Sequence, residues 1–154
     1  MKKQTQIILN CIAAMTLMCP LTPLIAADGH DHHGKEKAPH NGRLMEMEKI
    51  HVEFLVESDK TARVYLYDEK LKPVTPSDQT VTLVVQGKDS SKTKTELVKK
   101  DDSFVSAAAI TIPDGAKAIL TVKAGGKPGN LRFDLNMENC GGCKGPEYAC
   151  SCEH

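Results

Sequence analysis

The stretch Ile50-His51-Val52-Glu53-Phe54-Leu55-Val56 decides the fold. Ile50, Val52, Phe54 and Val56 recur at period two and alternate with His51, Glu53 and Leu55, the pattern of a strand with one buried face. Leu44-Met45-Glu46-Met47 precedes it as a shorter strand, and Glu48-Lys49 lets the phase slip between the two. Downstream, the same texture returns in Arg63-Val-Tyr-Leu-Tyr67, Val81-Thr-Leu-Val-Val85, Thr93-Lys-Thr-Glu-Leu-Val98 and residues 104–112. Ala118-Ile-Leu-Thr-Val-Lys123 and Asn130-Leu-Arg-Phe-Asp-Leu-Asn-Met137 complete the series, the last with Leu131, Phe133, Leu135 and Met137 on one face.

Turn signals separate these runs: Ser58-Asp59-Lys60, residues 73–78, residues 87–91, Asp101-Asp102, Pro113-Asp114-Gly115 and Gly125-Gly126-Lys127-Pro128-Gly129. Only residues 106–110 could pass for helix, and they are few and flanked by β-branched residues. Seven or eight short strands at this spacing predict an all-β domain over about residues 43–137, an antiparallel β-sandwich or a partly open barrel. The chain has no Trp, three Phe and three Tyr, so its core must be aliphatic and modest in size.

Before this domain the chain opens Met1-Lys2-Lys3, runs apolar over residues 7–18 and reaches Leu24-Ile25-Ala26-Ala27-Asp28. A basic start, an apolar stretch and small residues predict a secretory signal peptide over residues 1–27, cleaved after Ala27 or, second, after Ala26. An uncleaved anchor is the rival reading, opposed by Asn10, Pro20 and Pro23 within the apolar run. A lipid anchor on Cys19 is a further rival, opposed by Thr16-Leu17-Met18 before it and Pro20 after it. Removing 27 of 154 residues leaves 127, enough for one domain, with no membrane span and a periplasmic or secreted location. Lys2 and Lys3 leave with the leader, so 18 of the 20 basic side chains remain against 20 acidic ones, a net charge near −2. With no basic run or patch, nucleic acid is not an expected partner.

Residues 28–42 contain Ala38 and no larger apolar side chain, which predicts a disordered, His-rich arm. If cleavage follows Ala27, Asp28-Gly29-His30 offers an amine, two amide nitrogens and an imidazole, the square-planar nitrogen set that Cu(II) and Ni(II) favour. Otherwise His30, His32 and His33 form a loose imidazole cluster, or simply a polar linker. On the strand, His51 and Glu53 project from one face while Ile50, Val52, Phe54 and Val56 point the other way. His40 can fold back to give two imidazoles and a carboxylate, the rival being a surface His–Glu pair without a ligand. Met45, Met47 and Met137 are thioethers that suit Cu(I), but at period two on strands they read first as packing.

The other end, residues 138–154, is a Cys-rich tail, Cys140-Gly-Gly-Cys143-Lys-Gly-Pro-Glu-Tyr-Ala-Cys150-Ser-Cys152-Glu-His154. Gly141-Gly142 supplies a tight turn that aims two sulfurs at one ion, and Cys150 and Cys152 can close a thiolate site for zinc or Cu(I), with His154 as a possible replacement ligand. In an oxidising compartment four cysteines are equally disulfide candidates. Ordering about fifteen free residues costs on the order of 15–30 kcal/mol of backbone entropy. A disulfide offsets about 2–4 kcal/mol, a closed zinc site roughly 10–16 kcal/mol. A thioredoxin-type role for Cys140 and Cys143 lacks a following helix to lower a thiolate pKa. No nucleophilic triad setting, phosphate-binding glycine loop or zinc-hydrolase helix motif is present, so catalysis is not expected.

Pro39-His40-Asn-Gly-Arg43, Ile50-His-Val-Glu-Phe-Leu-Val56, Val64-Tyr-Leu-Tyr-Asp68 and Lys72-Pro-Val74 together resemble a small periplasmic β-domain. That domain occurs alone or within adaptor (membrane-fusion) subunits of heavy-metal efflux systems, and the likeness covers about residues 39–86. The resemblance implies an exported β-sandwich associated with copper, zinc or related cations, with His40, His51 and Glu53 as ligands and efflux components as partners. The chain lacks the long coiled-coil hairpin and flanking domains of a full adaptor, and its Cys-rich tail lies outside the likeness. The expected function is therefore capture, buffering or delivery of Cu or Zn in heavy-metal resistance. The alternatives are a disulfide-stabilised interaction module with no metal role and, third, an oxidoreductase using Cys140 and Cys143.

Overall fold

The computed structural model describes residues 37–124 and 127–152, with Lys127 described by its backbone alone. The leader, His30, His32, His33 and His154 lie outside the described residues. Eight antiparallel strands form one sheet: β1 (Arg43–Met47), β2 (Ile50–Val56), β3 (Ala62–Asp68), β4 (Thr80–Gln86), β5 (Lys92–Lys100), β6 (Ser103–Ser106), β7 (Lys117–Ala124) and β8 (Lys127–Asp134). Their spatial order is β1-β2-β3-β6-β5-β4-β7-β8, so the chain leaves the first meander after β3 and returns through β6. The all-β class, the antiparallel pairing and the strand number are as expected, in the nearly closed barrel form.

The edges of the sheet, β1 and β8, curl toward each other without a hydrogen-bonded ladder. Gly129 on β8 faces the Met47 thioether on β1, and any side chain at 129 would collide with it. At the other end of the same seam, the Arg43 guanidinium lies over the Phe133 ring, 5.2 Å from its centroid. The glycine-rich segment expected as a turn thus contributes Pro128 and Gly129 to β8. An edge strand tolerates a proline because the missing N–H need not pair outward.

Alternation fills the interior as the period-two pattern requires. Val52 and Phe54 of β2, Val64 and Leu66 of β3, Leu83 of β4, Phe104 of β6 and Leu120 and Val122 of β7 are buried together. Each contributes roughly 1.5–3 kcal/mol through removal of apolar surface from water. The run expected over residues 104–112 is a strand only to Ser106. The Ser106 hydroxyl donates to Ala108 O at 2.7 Å and accepts the Ala62 N–H at 2.9 Å, which ends the ladder there. Ile110 then drops into the core, its N–H donating to Lys60 O at 2.8 Å.

Two boundaries read from composition shift. Ala38 is buried and residues 38–42 lie against the outer face of β2, so the arm ends before them. Beyond β8, the Leu135 N–H donates to Ala116 O, and both Cys140 and Tyr148 are buried, so the cysteine segment is packed against the barrel instead of hanging from it. A 3-10 turn, Glu147–Ala149, is the one helical element among the described residues. No helix among them is long and apolar enough to cross a membrane.

Candidate metal centre

The loop after β8 is built by backbone pairing before any sulfur is considered. Asn136 O accepts the Tyr148 N–H at 2.9 Å, Glu138 O accepts the Glu147 N–H at 2.8 Å, and Asn139 bridges Pro146. At its tip, Gly145 O accepts the Cys140 N–H at 2.7 Å and Cys140 O accepts the Lys144 N–H at 3.1 Å. Lys144 sits at φ 64°, the left-handed residue that completes this tight turn. The narrow hairpin places Cys140 and Cys143 at one end, and the 3-10 turn brings Cys150 back beside them.

Tyr148 fixes the loop to the barrel. Its ring is 2% exposed and meets Phe54 edge-on at 5.8 Å between centroids. Its hydroxyl accepts the Val56 N–H at 2.9 Å, and its carbonyl accepts Arg43 Nη1 at 3.1 Å. Burial pushes the Tyr148 phenol above its ordinary pKa. The entropic cost computed for a free tail therefore does not fall on a metal alone, because apolar burial and backbone pairing already order the segment. Tyr148 is the residue the sequence reading missed, although it is the lone aromatic of the tail.

The four cysteines of the tail form no disulfide, and their sulfurs lie within 4.8 Å of one another. Cys140 and Cys150 sulfurs are 3.1 Å apart, and those of Cys143 and Cys150 are 3.7 Å apart. Four thiolates at about 2.3 Å from a tetrahedral zinc stand about 3.8 Å from each other, so the set needs only small movements to close on one ion. The Gly142 N–H points at the Cys140 sulfur at 3.4 Å, and the Cys152 N–H at the Cys150 sulfur at 3.2 Å. The Cys143 backbone N–H and then the Cys150 thiol pull the Cys140 pKa down to about 6. Cys150, which gives its hydrogen bond to the Cys140 sulfur, is pushed up to about 12. One thiolate thus forms readily, and a cation bound to the set would release the remaining protons.

The structure brings His40 and Glu53 together but not as a three-ligand set with His51. Glu53 is fully buried on β2. Its Oε1 accepts the His40 N–H at 2.9 Å and the Gly42 N–H at 2.8 Å. Its Oε2 accepts the Tyr67 hydroxyl at 2.6 Å and His40 Nδ1 at 3.0 Å. The Tyr67 phenol, desolvated by burial and donating to this carboxylate, is held far above its ordinary pKa. The His40 ring stacks on Tyr65 at 3.8 Å between centroids, with its side chain 40% exposed. The His51 Nδ1–H instead donates to Asp68 O at 3.1 Å. Among the described residues the four cysteines form the one grouping of three or more metal-ligating side chains.

No protein-family model matches the chain, and no curated protein does. Among solved structures, one titled "Crystal structure of Br derivative BhCBM56" is similar over 61% of this chain and 98% of that chain, at 8% identity and a TM-score of 0.41. A likeness at that level supports no statement about function.

Proposed function

We propose that this chain is an exported metal-binding protein that holds one zinc or copper ion on Cys140, Cys143, Cys150 and Cys152. In this reading it captures, buffers or hands on that ion in heavy-metal resistance, in company with efflux components, and performs no catalysis. The convergence of four sulfurs within 4.8 Å on a loop pinned by Tyr148 carries the proposal. Backbone N–H groups aimed at two of the sulfurs favour the thiolate form that a soft or borderline cation requires. Export rests on the leader-like start, and the efflux association on the resemblance over residues 39–86. His40, with Nδ1 turned to Glu53, keeps Nε2 for an ion in the manner of carboxylate-oriented histidine ligands, whereas the Glu53 oxygens are already occupied.

The test is metal analysis of protein purified under reducing conditions, beside a variant with all four cysteines changed to serine. One equivalent of zinc or copper in the first and none in the second is the expected result. Trace metal in both, with unfolding unaffected by a chelator, would refute the reading. The alternative, a disulfide-stabilised interaction module, draws on the 3.1 Å approach of Cys140 and Cys150 sulfurs. It calls for an intact mass lower by about 4 Da than the reduced chain and insensitive to added metal.

A further inference from the structure

The four cysteines are not equivalent. Cys140 is 1% exposed, and both its N–H and its carbonyl are tied within the hairpin. Cys143 is exposed, and its sulfur lies 3.7 Å from that of Cys150. Between them Gly141, Gly142, Cys143 and Lys144 form an exposed run. A methyl group at Gly142 would stand 3.1 Å from the Cys152 sulfur and 3.8 Å from the Cys140 sulfur, directly over the site. One at Gly141 would meet nothing within 4 Å. Neither glycine has a backbone conformation that demands glycine. The missing side chain at 142 leaves the Cys152 and Cys140 sulfurs without cover from that residue, although Cys140 itself is buried.

We propose that the bare face at Gly142 is the entry path for an acceptor bearing thiol ligands, which takes the ion by exchange at Cys143. This deepens the metal-binding reading and rests on it. In the exchange, an acceptor thiol loses its proton and its sulfur bonds to the ion. The bond from the ion to Cys143 breaks, and the Cys143 thiolate takes up that proton, so charge and protons balance. Cys140, buried and held by backbone hydrogen bonds, lets go last.

The experiment uses the zinc-loaded full chain and a small water-soluble dithiol, dimercaptopropanesulfonate, as acceptor. Zinc release from the unaltered protein should rise in proportion to dithiol concentration. Loaded with zinc, Gly142→Ala should give the ion up to the dithiol about tenfold more slowly, equivalent to roughly 1.4 kcal/mol at the barrier. Gly141→Ala, which meets no neighbour, should release zinc at the original rate. A release rate independent of dithiol overturns the proposal whatever the variants do, as does a Gly142→Ala protein that releases zinc as fast as the original. Absence of zinc from the unaltered protein would instead overturn the metal-binding reading itself, so the two failures are distinguishable.

Discussion

The hydroxyl of Tyr148 accepts the backbone N–H of Val56 at 2.9 Å, which joins the cysteine loop to the barrel. Val56 is the last residue of β2, and Tyr148 lies between Cys143 and Cys150. The loop therefore has an apolar anchor at its middle and sulfurs at both ends. Sulfur geometry and barrel packing share one segment, so a change in either reaches the other.

Tyr148→Ala should lower stability by about 3–5 kcal/mol, the usual cost of deleting a buried aromatic side chain. Tyr148→Phe keeps the ring and strands only the Val56 N–H, for about 1–3 kcal/mol. Urea unfolding of the two variants separates these contributions. Because the alanine variant also frees the loop, its zinc affinity should fall about tenfold or more, or roughly 1.4 kcal/mol, in a competition titration against a chromogenic chelator. Zinc affinity equal to that of the original would show that the sulfurs need no anchor.

Glu53 offers a contrasting case, a buried carboxylate with every oxygen engaged. Glu53→Ala leaves the His40 and Gly42 amides without their acceptor and the Tyr67 hydroxyl and His40 Nδ1 with only each other, and should cost about 3–5 kcal/mol. Glu53→Gln keeps the shape and one acceptor, for about 1–3 kcal/mol. Zinc content of the folded glutamine variant should equal that of the original, because the hydrogen bonds of Glu53 go to His40, Gly42 and Tyr67. A glutamine variant as metal-free as the four-serine protein would refute this division of roles.

How far the sequence carried these conclusions depends on which physics each feature obeys. Val52 and Phe54 were legible because period-two alternation is a local property, and it fixed the strands and their inner faces. Glu53 was legible as facing away from them, but its burial was not. The cover comes from residues 38–42 and Tyr67, and composition alone made that segment a free arm. The convergence of the four cysteine sulfurs was legible from spacing. Their anchoring was not, because one tyrosine's value depends on Phe54 and Val56, over ninety residues away. The end of β6 at Ser106 was hidden for a related reason: a hydroxyl turned back on its own chain leaves no trace in hydrophobic periodicity.

Turn chemistry gives a prediction of the opposite sign. Lys60, Leu71 and Ser90 occupy left-handed backbone at φ 63°, 56° and 65°. Each closes the same kind of turn. Lys60, Leu71 and Ser90 N–H groups donate to Glu57, Asp68 and Gly87 carbonyls. A non-glycine residue pays about 1–2 kcal/mol for that conformation, and glycine gives back about 0.5–1 kcal/mol in unfolded-chain entropy. Lys60→Gly and Ser90→Gly should therefore each raise stability by up to about 1 kcal/mol in urea unfolding, without moving zinc content. Destabilisation by either would show that the side chain itself contributes more than its backbone strain.

The last prediction concerns alkaline pH and uses the absence of tryptophan. Tyr65, Tyr67 and Tyr148 are all the tyrosines of the chain, and burial raises the pKa of each. For Tyr67 the hydrogen bond to Glu53 adds to burial. A raised phenol pKa means that the fold favours the neutral form. That contribution to stability is complete below the unfolded value of about 10 and is lost as pH rises through the folded values. Tyrosinate absorbance of the native protein should rise at higher pH than that of the unfolded chain, with the Tyr67 signal appearing together with loss of the folded circular-dichroism signal. The urea-unfolded chain should titrate near pH 10 instead. Tyr67→Phe removes the group most strongly opposed to ionisation, so it should move the alkaline unfolding midpoint upward even as it weakens the protein at neutral pH. Ionisation of Tyr67 or Tyr148 at the unfolded value without unfolding would contradict the burial of these two side chains.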